Sequence, residues 1–177
     1  MKRIRIEGIK LSNELVGINF RNLSCAKDYI SRFSHILTKN QVNLIFLSFT
    51  SIGDNSQVFC CVGIEDRLLV EELINSDFDL ASHADFISPV GSLSIFTHQF
   101  SLKILGLILN VFGKTPLPLY GLASSLSVLT CITDYSHLKN AVTAVKEYLY
   151  VPSGQISLEP EIHVKQTEYI NKITSLA

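Results

Sequence analysis

The sequence predicts an α+β protein built from two ferredoxin-like βαββαβ modules in tandem, each an antiparallel sheet with its helices on one face. Three observations predict it. The order strand, helix, strand, strand, helix occurs twice along the 177 residues, with little identity between the copies. Hydrophobic residues make up 47% and charged residues 18%, which supplies two modest cores and excludes a disordered chain. Pro89 and Gly91 interrupt the pattern where it restarts, so residues 1–89 are expected as the first module. Residues 90–177 are then the second, with a C-terminal strand and helix tail.

In the first copy Lys2 to Leu11 alternates as a strand, and its phase flips at Gly8 as at a bulge. Glu14 to Phe20 is a second strand, with Val16, Ile18 and Phe20 in phase. Ser24 to Lys39 is a helix, because Ala26, Tyr29, Ile30, Phe33, Ile36 and Leu37 recur at spacings of three and four. Asn22 or Ser24 can cap it and Asn40 can stop it. Val42 to Phe49 and Gln57 to Ile64 form a hairpin around the Ser51–Ser56 turn cluster. A short helix follows from Glu65 or Asp66 through Ile74, then an irregular stretch and a short strand near Phe86 and Ile87.

The second copy opens with the strand Ser92 to Thr97. Ser101 to Phe112 is an apolar helix stopped by Gly113 and Pro116. Leu117 to Leu122 and Leu126 to Thr133 read as strands, the former at an edge because of Pro118. Asp134 or Ser136 caps a helix through Leu149. Gln155 to Ile162 reads as a last strand that chain order alone assigns to neither sheet, and Val164 to Leu176 as a tail helix.

Composition narrows the function classes. With 15 basic and 16 acidic residues the formal charge is -1, and no basic stripe marks a nucleic-acid binder. The cluster Lys2, Arg3, Arg5 alternates with Ile4 and Ile6, as on the solvent face of a strand. The most apolar stretch, Ile104 to Phe112, is too short to span a bilayer, and the N-terminus has no signal-peptide pattern. A cytoplasmic protein without a membrane partner is expected. Cys25, Cys60, Cys61 and Cys131 form neither a C-x-x-C pair nor a metal-ligand spacing, and the five histidines are dispersed. No phosphate-cradling glycine loop appears. Neither a cofactor nor a metal is expected, and the chain reads as non-catalytic.

Three segments resemble the paired ACT domains at the C-terminal end of aspartate kinases. The first comprises Ile6-Glu7-Gly8-Ile9, the strand Val16-Gly17-Ile18-Asn19-Phe20, the helix, and Gln41-Val42-Asn43-Leu44. The second is Val90-Gly91-Ser92-Leu93-Ser94-Ile95-Phe96 and the third Ser124-Ser125-Leu126-Ser127-Val128, followed by an Asp-led helix. The match runs from Arg3 to about Leu149 and lacks the kinase catalytic portion. The resemblance implies a free-standing regulatory region that senses an amino acid at an interface between modules and forms a homodimer. A separate catalytic chain is a further partner it implies.

Carried over residue by residue, the resemblance puts Phe20, Arg21, Asn22, Leu23, Ser24 and Asn43 at the effector site. Chemistry agrees with that type of site: a helix N-terminus attracts a carboxylate, Arg21 adds a charge-assisted bond, and Asn43 offers a donor and an acceptor. Two features depart from the family. Its Asp-x-Pro-Gly loop is replaced here by Leu23-Ser24-Cys25-Ala26-Lys27-Asp28, without an acidic residue placed to hold a ligand's ammonium at the turn. The equivalent second loop, Thr97-His98-Gln99-Phe100, also lacks Pro-Gly. An alternative is therefore a degenerate ACT pair that serves dimerisation or partner binding without ligand. A third reading, a thiol enzyme using Cys25 at a helix N-terminus, lacks an identifiable base.

Overall fold

The computed structural model describes residues 3–23, 26–52, 55–97, 102–151 and 156–157. In chain order the strands are β1 (Ile4–Arg5), β2 (Gly8–Leu11), β3 (Leu15–Leu23), β4 (Leu44–Ile52), β5 (Asn55–Gly63), β6 (Ala84–Phe96), β7 (Gly121–Ser124), β8 (Val128–Asp134), β9 (Leu149–Tyr150) and β10 (Ile156–Ser157). The α-helices are α1 (Ala26–Lys39), α2 (Arg67–Asn75), α3 (Phe78–His83), α4 (Leu102–Lys114) and α5 (Leu138–Lys146). Short 3₁₀ turns, Ile64–Asp66 and Tyr135–His137, lead into α2 and α5.

The first half is an antiparallel sheet of order β6-β3-β5-β4, the arrangement of a split βαβ unit. Its strands alternate, so Val16, Ile18 and Phe20 face α1 and α2 together with Val58, Cys60 and Val62. Phe33 and Leu37 of α1, Val70 and Ile74 of α2, and Leu80 of α3 close that core. Helix α1 stops where expected, and Asn40 donates its side-chain amide to the Ile36 carbonyl at 2.9 Å. The residue that turns the chain is Gln41, with φ 58°, and Val42 N–H bonds to the Leu37 carbonyl at 3.0 Å to complete a Schellman-type cap. The stretch after α2, irregular from sequence, contains α3, capped by Asp77, whose Oδ1 accepts from the amides of Asp79 and Leu80.

Strand β6 is shared. From Ala84 to Val90 it pairs with β3; from Val90 to Phe96 it pairs with β8 on its other edge, while β2 continues the line of β3. Pro89 interrupts the sequence pattern without interrupting the strand, because it sits opposite the register slip between Leu15 and Gly17. The second half has the order β2-β6-β8-β7. Residues from 90 onward supply three of these strands, and the N-terminal β2 fills the fourth position, with Ile9 opposite Ile95 and Leu11 opposite Leu93. The side chains of Ile6, Ile9 and Leu11 accordingly lie in the core formed by α4, α5, β8 and β9, and not with the residues that follow them in sequence. The bulge read at Gly8 is a division between two sheets: β1 pairs in parallel with β9, and β2 antiparallel with β6. β10 lies parallel to β2 at the sheet edge, which settles the pairing of Ile156 and Ser157. The expected tail helix, Val164 to Leu176, falls outside the described residues.

A third cluster joins the halves. Leu15, Phe46, Phe59 and Cys61, on the helix-free face of the first sheet, pack on Val90 and Ile132, with Tyr120 at the margin. Gly121 lets β7 approach: a Cβ there would lie 2.8 Å from Phe46 Cε1.

Candidate functional site

The end of β3 sorts the expected site residues onto two faces. Phe20 and Leu23, 2% and 0% exposed, point under α1. Phe20 meets the Phe33 ring edge-on at 5.0 Å between centroids. With Tyr29, Ile30 and Val58 they surround only a small apolar void, so in this chain both are core residues. Arg21 lies on the other face and is exposed. Asn22 belongs to β3, but its side chain, like Ser24 and Cys25, lies outside the described residues.

Arg21 has a defined neighbourhood. Its Nε is 3.5 Å from Asp85 Oδ2 on the adjacent strand β6. Asn19, 5% exposed, orients its amide oxygen toward the guanidinium, 2.7 Å from Nε and 3.0 Å from Nη2, and its other amide atom lies 2.9 Å from Gln57. The backbone carbonyl of Arg21 faces His83 Nδ1 at 2.9 Å, and the His83 ring packs edge-on against Tyr29 of α1 at 5.5 Å. Cation, carboxylate and amides thus share one patch. Sequence reasoning missed Asp85, Asn19 and Gln57. A polar Asn19 amid the apolar residues of β3 was the available signal; the partnership with Asp85 requires knowing that β6 lies beside β3.

Asn43 is elsewhere. It is half-buried and precedes β4 at the end where Leu44 pairs with Val62 and Val62 with Val16. Arg21 lies past the Phe20–Val58 pair at the opposite end of the sheet. Five residues of strand separate the two levels, roughly 17 Å at strand rise. One copy of the chain therefore does not bring Arg21 and Asn43 together.

Beneath the patch, Arg32 of α1 ties α3 in place, bonding Asp77 and, at 3.2 Å, Asp79. Burial pushes the Asp77 carboxyl up, but the Leu80 amide and Arg32 outweigh it and hold Asp77 below the ordinary carboxylate range. Cys60, Cys61 and Cys131 are buried free thiols. Burial pushes Cys61 and Cys131 up to about 12, and Cys60 upward as well, so none is a nucleophile at neutral pH. Among the described residues, no group of three His, Cys, Asp or Glu side chains could hold a metal ion, and no helix is long and apolar enough to cross a membrane.

Two split βαβ halves share a strand, and the N-terminal strand completes the second half, which is a fold of tandem ferredoxin-like modules. Solved structures that share it include regulatory regions of aspartate kinases. The ligand-free regulatory subunit of aspartate kinase from Thermus thermophilus superposes with a TM-score of 0.72 at 13% identity, over 82% of this chain and 99% of that one. A C-terminal regulatory domain of aspartate kinase from Porphyromonas gingivalis gives 0.61 at 9% identity, over 82% and 98%. E. coli aspartokinase III, in complex with lysine and aspartate, gives 0.63 at 11% identity, over 82% of this chain and 33% of that one. No protein-family model and no curated protein matches the sequence.

Proposed function

We propose that this chain is a non-catalytic regulatory protein that binds an amino acid at the Arg21 end of β3. The observation that carries this reading is the juxtaposition of Arg21 and Asp85 with Asn19. A zwitterion needs one cation for its carboxylate and one anion for its ammonium, and Asp85 supplies the acid absent from the β3–α1 turn. The fold shared with regulatory subunits of aspartate kinase supports a regulatory role. On this reading the chain works in the cytoplasm as two modules meeting in β6, and a separate catalytic chain receives the signal.

The reading includes a homodimer. β4 ends the sheet and exposes Leu44, Leu47 and Phe49. Two copies paired edge to edge through antiparallel β4 strands would carry Asn43 of one copy to the β3–α1 end of the other. Such a twofold pairing brings Asn43 of one copy to the same end of the joined sheet as Arg21 of the other. The same exposed row supports the second reading, a partner-interaction module without ligand.

Thermal unfolding against a panel of amino acids separates the two. A ligand at a hundredfold excess over its Kd stabilises by about 2.7 kcal/mol. The expected result is a raised midpoint with one amino acid class, abolished by Arg21→Ala and by Asp85→Ala. If none raises the midpoint, the ligand-free module stands.

A further inference from the structure

We infer that the second half carries a separate binding site for a small organic anion, between the end of β2 and the start of α5. A cavity of about 280 Å³ opens there, lined by Leu11, Ser12, Tyr135, Ser136, Leu138 and Lys139. The volume suits a ligand of a few carbons. It lies on the helix-covered face of the other half and does not depend on the reading proposed above.

The lining is two-sided. Leu11 and Leu138 belong to the second core and give an apolar wall. Lys139 brings a positive charge, and Ser136 and Tyr135 bring hydroxyls. Because position 91 has no side chain, two of these lining residues pack down onto the strand: a Cβ on Gly91 would lie 2.6 Å from Leu138 Cδ1 and 3.1 Å from Tyr135 Cδ2. Thr133 pairs with Gly91 across the strands, so its side chain rises on the face covered by Tyr135 and Leu138. It is fully buried, and its hydroxyl has no hydrogen-bond partner among the described residues. Natural interiors seldom leave such a group unsatisfied.

Neither the Tyr135–His137 turn nor α5 has a side-chain cap, whereas α3 has Asp77. Asp134, the nearby carboxylate, is engaged by the Tyr120 hydroxyl at 2.8 Å and by His137 Nδ1 at 3.1 Å. Ser12 is held in place, its Oγ accepting from the Ser92 amide at 2.9 Å. A lysine, hydroxyls and an apolar wall select a carboxylate with a short branched apolar tail.

Isovalerate and its neutral isostere isovaleramide test this by amide NMR titration of the full chain. Isovalerate is expected to shift Ser12 and Tyr135 to Lys139 saturably, and isovaleramide to bind at least about fivefold more weakly. Lys139→Gln should erase the difference between the two probes, while Arg21→Ala should leave both titrations unchanged. Equal binding of the two probes, non-saturating shifts, or shifts centred on β3 would overturn the proposal.

Discussion

At the scale of single residues, the fold depends on a few positions where a side chain of another size or conformation would not fit. Gly91 lies beneath Leu138 and Tyr135, so Gly91→Ala forces α5 away from the sheet. A loss of about 1–3 kcal/mol is expected in denaturant titration. Gln41 occupies the left-handed region. Gln41→Gly removes a conformational cost of about 1–2 kcal/mol but loosens the unfolded chain by about 0.4–1 kcal/mol, so the same titration should register a modest gain. Asp77 has its pKa lowered in the fold, so its contribution is complete above the ordinary carboxylate value and is lost as pH falls through the folded value. Asp77→Asn retains the cap for α3 and loses the ion pair with Arg32. Melting temperatures of the two proteins should therefore differ at neutral pH and converge as the pH falls below the ordinary carboxylate range.

At the scale of elements, local periodicity revealed most of the chain. The spacing of Tyr29, Phe33 and Leu37 announced α1, and the phase of Val16, Ile18 and Phe20 announced the buried face of β3. What stayed hidden depends on distant pairing or on very short segments. α3 has six residues with exposed Phe78 and buried Leu80, too few to display a helical stripe. The proposed site was half legible. Arg21 could be picked from its place at a strand end, but Phe20 and Leu23 turn into the core, and Asp85 joins only through β6. The exposed edge of β4 has its own consequence. Leu47→Asp puts a charge on that row, and analytical ultracentrifugation should show a dimer of the native chain reduced to monomer, with the fold retained by circular dichroism. An unchanged sedimentation coefficient would remove β4 from the interface.

At the scale of the whole molecule, the second half depends on the first. Cutting between residues 89 and 90 would divide β6, leave its β3-paired part with the first sheet, and take β2 away from the second sheet. Residues 90–177 expressed alone should lack cooperative unfolding, and mixing them with residues 1–89 should restore it as a concentration-dependent complex. Sequence analysis put the break at Pro89 because proline and glycine mark punctuation, and nothing local reports that a strand continues through them.

The long reach of β2 also sets a timetable. Ile9 must wait for Ile95, 86 residues later in the chain, before its ladder can form. Translation at about 5–20 residues per second makes that interval roughly 4–17 s. During it the first sheet can fold on the ribosome, while the apolar face of β2, with Ile9 and Leu11, has no strand to join. The part of the protein that emerges first is the part that is finished last.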